Sequence, residues 1–211
     1  MFRSFRPDEL PCPVGQSPFR IKGMAYRLTW ESCADVPGGA EAVIERLPSG
    51  EARAFLTQKF LAAGWYDVLP MIWLDVARAD VLGLPPERSL ALGTTKHARA
   101  SLGGIYRSLL RLLSTSTAAA VLPRIVHTYY DFGTVTTSQD GPDGVYGVVR
   151  GVPALIAGWY MICSGAFAAE ALSLGGAREV SVEWAPPKPA GRRDGFPLTD
   201  LSWRLRWRGT R

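Results

Sequence analysis

GVPALIAGWYMICSGAFAA, residues 151–169, is a run of nineteen residues without a charge, and whether it crosses a membrane or fills a core decides the fold. Its length is close to what a spanning helix needs. Its content argues the other way. Pro153, Gly158, Ser164 and Gly165 stand among several alanines, Leu and Ile are few, and Glu170 follows at once. On insertion scales such a run is only marginally apolar, whereas a helix apolar on every side is what the centre of a water-soluble domain requires. The reading is a buried helix over 153–174, ended by Gly175-Gly176 in the usual glycine stop, and no membrane span.

The sequence on both sides of this helix is strand-forming. Residues 134–138 and 145–149 are β-prone and flank Gln139-Asp-Gly-Pro-Asp-Gly, a turn-forming run. After the helix, Val180, Val182 and Trp184 alternate with Glu179, Ser181 and Glu183. Leu201, Trp203, Leu205 and Trp207 then alternate with Ser202, Arg204, Arg206 and Arg208. If 178–184 and 201–208 pair antiparallel, Glu179 and Glu183 meet the arginine row across the ladder. That row then reads as a solvated, internally compensated sheet face rather than a binding site. The Pro-, Gly- and Arg-rich stretch 185–199 reads as a mobile surface loop.

Upstream the period is helical. Residues 1–20 carry four prolines and no periodicity, and read as an irregular arm; 21–30 is ambiguous between strand and helix. Short helices are expected over 40–47 and 51–63. The clearest amphipathic segment is 67–82, with Val68, Met71, Ile72, Asp75, Val76, Ala79 and Leu82 at helical spacing and Asp67 as N-cap. A helix over 87–101, a kink at Gly103-Gly104, and helices over 105–113 and 115–130 follow. The expected architecture is α+β: an N-terminal helical layer packed on a four-stranded antiparallel sheet, in ββ-α-ββ order. After the arm, 21–211 forms one domain, with 21–131 its helical part and 132–211 its sheet and long helix.

Composition agrees with one globular domain: 211 residues, 47% hydrophobic and 20% charged, exclude wholesale disorder. Lys+Arg exceed Asp+Glu by 24 to 19, but the surplus is mostly arginine at the two ends. No helix-turn-helix or zinc-finger spacing accompanies it, so no nucleic-acid partner is expected. Cys12, Cys33 and Cys163 are far apart and only His97 and His127 accompany them, so no metal site can be assembled from neighbours. Free cysteines and an N-terminus without an apolar signal core point to the cytoplasm.

Gly64-Trp65-Tyr66, Leu92-Gly93 on a helix, Pro123-Arg124 on another, a hairpin, and finally Leu174-Gly-Gly-Ala-Arg-Glu-Val180 occur in an order that resembles a known family. It is the uncharacterised domain family expanded as paralogues in myxobacteria, itself similar to the haem–nitric-oxide-binding and vinyl-reductase-like small-molecule-binding folds. The resemblance covers about residues 20 to 208 and implies a sensory or adaptor module with a helical roof over a sheet. The related nitric-oxide sensors hold haem with a histidine and a Tyr-x-Ser-x-Arg grip on the propionates. Tyr106-Arg-Ser-Leu-Leu-Arg111 comes near that pattern, but its arginine arrives one residue late and lies far round the helix from Tyr106 and Ser108. Neither haem nor the clustered-cysteine zinc of vinyl-reductase-like proteins is expected, and no other cofactor is called for.

Catalysis finds little support. Cys163 with His127 is the one conceivable nucleophile pair, yet Cys163 lies in the most apolar helix, where a thiol is inert. There is no Gly-x-Ser-x-Gly elbow and no phosphate-binding glycine loop, and the carboxylates do not cluster. The remaining signal is aromatic residues with polar ends: Trp65, Tyr66, Trp73, Tyr106, Tyr130, Trp159 and Tyr160, joined by Arg124 and His127 on the face of Tyr130. Apolar pockets with a few convergent polar groups are built from such residues. The expectation is a non-enzymatic sensory domain holding a small hydrophobic ligand between helix 115–130, helix 153–174 and the sheet. The alternative is a protein-interaction module, docking a partner or a second copy through the sheet edge, Trp203, Trp207 or the arginine row.

Overall fold

Arg20–Lys22 (β1) pairs antiparallel with Trp65–Asp67 (β2), Ile21 opposite Tyr66, and this ribbon gathers the helical half. The structure, a computed structural model, describes residues 4–102, 117 and 128–209. The expected kink at Gly103-Gly104, the helix over 105–113 and most of the helix over 115–130 lie outside the described residues. The helices are Gly23–Cys33 (α1), Gly39–Arg46 (α2), Glu51–Leu56 (α3), Met71–Leu82 (α4) and Pro86–Ser101 (α5).

Two helix starts and stops differ from the sequence reading. α3 ends at Leu56 rather than near 63, because the Thr57 hydroxyl bonds back to the Arg53 carbonyl and the Gln58 side chain takes the Phe55 carbonyl. The chain then turns so that Phe60 stacks on Tyr26, ring centroids 4.2 Å apart. Asp67 does not cap α4. Its buried carboxylate accepts the Ser17 amide at 3.0 Å, the Ser17 hydroxyl and the Leu69 amide at 3.0 Å, and so binds the N-terminal arm to β2. The arm is irregular apart from one 3-10 turn at Pro7–Glu9. It is nonetheless sewn into the core: Phe5 and Phe19 are buried, and the Phe5 carbonyl accepts the Trp73 indole at 2.7 Å. Two large aromatic rings left in water would forfeit several kcal/mol, about 2 each.

The C-terminal half is the antiparallel sheet with its helix. Thr134–Gln139 (β3), Gly144–Pro153 (β4), Arg178–Trp184 (β5), Lys188–Arg193 (β6) and Phe196–Arg208 (β7) lie in the order β3-β4-β7-β5, with β6 also on β7. The class is α+β as expected, but the sheet has five strands rather than four. The stretch 185–199 is no loop: it supplies β6 and the first part of β7. Asp194 and Gly195 both take positive φ, 48° and 84°, between the paired residues Arg193 and Phe196. That is the two-residue turn an Asp-Gly pair favours.

Ala157–Gly175 (α6) follows a 3-10 turn at Ala154–Ile156. Ala154–Gly175, with mean hydropathy 1.4, is long and apolar enough to cross a membrane by composition. Here it packs on α5 and β5, and within α6 Ser173 alone is exposed. Gly176 ends it in the left-handed conformation, φ 105°, with the Ala177 amide bonded to the Leu172 carbonyl at 3.0 Å. Gly165 lets α6 sit directly on β5, since a Cβ there would lie 3.3 Å from the Trp184 indole nitrogen.

The expected charge compensation across the sheet is present in altered form. Glu179 reaches Arg208 at 3.1 Å and Glu183 stands opposite Arg204, while Arg204 and Arg206 both reach Asp140.

Candidate functional site

α4 carries Asp75 and Arg78 on one face, three residues apart, and that face is buried. Their side chains are 5% and 4% exposed and approach to 3.7 Å. A buried pair persists only when further hydrogen bonds complete it. Here the Trp159 indole on α6 donates to Asp75 Oδ2 at 2.8 Å, and Arg78 donates to the Ser89 carbonyl at 2.8 Å. Burial pushes the Asp75 carboxyl above the usual range, against the pull of Arg78 and of the Trp159 bond. α5 makes room for the guanidinium with Gly93, where a Cβ would stand 2.3 Å from Arg78 Nη1.

Beside this pair lies a partly open cavity of about 100 Å³, lined by residues of α1, α4, α5 and α6 and by Ile21, Tyr129 and Tyr130. Its apolar walls include Ile21, Met71, Leu90 and Phe167, and its polar groups include Asp75, Arg78, Thr94, His97 and Ser164. His97 shares a 2.8 Å hydrogen bond with the Ser32 hydroxyl. Burial, and then the Arg78 charge, lower its pKa to about 4, so the ring is neutral near pH 7. Cys163 accepts the Thr94 hydroxyl at 3.6 Å. Burial first, and the Asp75 charge second, push its thiol far above the ordinary range. A thiol so held is not a nucleophile at neutral pH.

Of the aromatic set read from the sequence, Tyr130 and Trp159 line this cavity. Tyr160 is buried beside Tyr130 and Phe132 instead, and Trp73 is spent on the Phe5 carbonyl. The Tyr66 hydroxyl accepts the Leu61 amide. Trp65 is 45% exposed, with the Lys22 ammonium 3.8 Å above its ring. Tyr106, Arg124 and His127, together with the haem-like run 106–111, lie outside the described residues. The cavity therefore sits among helices, and no described residue of the five-stranded sheet lines it. The sheet side of α6 is already filled by Val182 and Trp184 packed on Gly165. Of the two tryptophans on β7, Trp203 is half-buried. Trp207 is buried, and the Trp203 ring covers Gly147, where a Cβ would meet it at 2.2 Å.

Asp75, Arg78, Thr94 and His97 were not singled out by the sequence as a site. The signal was there: Asp75 falls on the apolar stripe of α4, a carboxylate on a buried face needs a cation, and Arg78 follows one helical turn later.

No protein-family model matches the chain, and no curated protein matches it. Solved structures do. The Fe(II) unliganded H-NOX protein from K. algicida aligns with TM-score 0.59 at 12% identity, over 90% of this chain and 98% of its own. An oxygen-binding H-NOX domain related to soluble guanylate cyclases, in its oxygen complex, aligns with TM-score 0.60 at 10% identity, over 90% and 96%. A point mutant of the T. tengcongensis H-NOX gives TM-score 0.61 at 10% identity, over 90% and 99%.

The chain has the H-NOX fold.

One structure with the H-NOX fold concerns haem redox potential and porphyrin distortion, so the described residues must be tested for haem. The cavity, about 100 Å³, falls well below the roughly 300 Å³ at which pockets for drug-sized molecules begin, and a porphyrin is larger than those. His97, the described histidine, is neutral and engaged with Ser32. Cys163 is a hydrogen-bonded thiol rather than a thiolate. Among the described residues no three His, Cys, Asp or Glu side chains converge. Among the described residues, then, none is arranged to hold haem.

Proposed function

We propose that this H-NOX-fold chain is a non-enzymatic small-molecule-binding domain of a sensory or adaptor system, and that its ligand occupies the cavity beside Asp75 and Arg78. The single observation that carries this reading is the position of the cavity. It opens against the one hydrogen bond that joins α6 to the buried pair on α4, so an occupant that moves Trp159 changes how the two helices pack. A ligand with different affinity for two such packings shifts their populations, and a partner protein reads the shift.

The absence of a catalytic role is part of the same reading. It is supported by a carboxylate already committed to an ion pair and a thiol held protonated. The motifs quoted from the sequence support a place in the myxobacterial paralogue family, and the free cysteines support a cytoplasmic location.

Native mass spectrometry of freshly purified protein tests the proposal. A retained small mass is expected, and it should disappear in Ala25→Phe, which fills the cavity from α1, while circular dichroism stays unchanged. A retained mass indifferent to Ala25→Phe would place the ligand elsewhere and contradict the proposal.

A further inference from the structure

We infer that the turn joining α3 to β2, together with the start of α1, is a contact surface for an anionic lipid bilayer. Three apolar side chains are left in water there: Leu61 is 63% exposed, Trp65 45% and Met24 37%. Single apolar residues scattered over a surface are ordinary, but the backbone draws these three together. The Gly23 amide donates to the Gly64 carbonyl at 2.9 Å and the Met24 amide to the Ala62 carbonyl at 3.0 Å. Lys22 and Trp65 stand opposite one another across the β1–β2 ribbon.

The turn holds Leu61 outward. Its amide donates to the Tyr66 hydroxyl, its carbonyl accepts the Gly64 amide at 2.9 Å, and the neighbouring Phe60 is anchored on Tyr26. Gly23 permits this close approach of α1, since a Cβ there would lie 2.2 Å from the Leu61 carbonyl oxygen. On its other side α1 lines the cavity with Ala25 and Leu28, and it leaves Met24 and Arg27 exposed.

Charge selects the occupant. Segments 20–30 and 52–66, which make this surface, contain Arg20, Lys22, Arg27, Arg53 and Lys59 and no Asp or Glu. Arg20 and Arg53 are turned to carbonyls, of Gly15 and of Glu45 and Leu47. Arg27 and Lys59 are exposed, and Lys22 lies 3.8 Å over the Trp65 ring and donates to the Ala63 carbonyl. Among the described residues none of these three cations is in a salt bridge. An apolar tip with a tryptophan at its base and lysine and arginine around it suits the headgroup layer of an anionic leaflet. The Lys22 stem can lie along apolar surface with its ammonium at the phosphates. A stable protein interface uses about 20–30 residues a side, far more than this tip offers, whereas a bilayer has no fixed shape to match.

Sedimentation of the full chain with vesicles of phosphatidylcholine alone, and of phosphatidylcholine mixed with phosphatidylglycerol, tests the inference. The protein should partition onto the mixed vesicles, and high salt should release it. Lys59→Gln should weaken this partition about fivefold, equivalent to about 1 kcal/mol, and Leu61→Ser about tenfold, both at an unchanged melting temperature. No partition onto the mixed vesicles, or partition indifferent to both variants, would overturn the inference. Equal binding to the neutral vesicles would overturn the choice of an anionic surface. A dimer on sizing chromatography that Leu61→Ser dissolves, without vesicle binding, would give the face to a second copy and overturn the lipid.

Discussion

The Trp159 indole donates to the Asp75 carboxylate over 2.8 Å, joining the chain's most apolar helix to α4 across 84 residues of sequence. Among the described residues Asp75 is held by this donor and by Arg78, and the loss of either leaves a buried charge short of a partner. Trp159→Phe keeps most of the ring and removes the donor. It should lower stability by about 1.5–3 kcal/mol, the range for hydrogen bonds to charged groups. Urea denaturation with an unchanged slope would measure it; a loss under about 0.5 kcal/mol would mean that the bond contributes nothing.

Gly93→Ala has a sign that separates this structure from an ordinary helix. A helix interior normally gains about 1 kcal/mol from that change. Here the new methyl would stand 2.3 Å from Arg78 Nη1, and the guanidinium is fixed by Ser89 and Asp75. The expected outcome is a loss of about 1–3 kcal/mol, read as a lower melting temperature. A rise would show that the guanidinium is free to move aside.

Acid should weaken the fold through His97. In the unfolded chain the imidazole takes a proton near pH 6.5, and in the folded chain only near about 4. Between those values the unfolded state binds more protons, so stability climbs with pH across that window and is fully present above it. His97→Gln should flatten this part of the stability–pH curve relative to the parent. Parallel curves for the two proteins would refute the assignment.

Gly195→Ala tests the hairpin that the sequence reading took for a loop. Gly195 holds φ 84° with open space where a Cβ would go, so backbone conformation is the main cost. A loss of about 1–2 kcal/mol is expected, with faster amide exchange along β6 and little change in α4.

Much of the fold was legible because period is local information. The alternation of Val180, Val182 and Trp184 and of Leu201 to Trp207 gave β5 and the end of β7, and the charge-free run gave α6. β6 was missed because the prolines and arginines of 185–193 mask a strand, and Asp194-Gly195 was not weighed as a turn signal. The site was less legible. Trp159 and Tyr130 were found by residue type, but Trp65, Tyr66, Trp73 and Tyr160 were ranked with them on the same ground. Nothing in one sequence says which indole meets Asp75 and which meets the Phe5 carbonyl. Those choices depend on contacts between segments more than sixty residues apart.

Xenon binding tests the central claim most directly. Xenon enters cavities whose walls are mostly apolar, so a crystal pressurised with the gas should show one atom among Met71, Leu90, Thr94 and Trp159, lost in Ala25→Phe. A cavity without xenon would contradict the account.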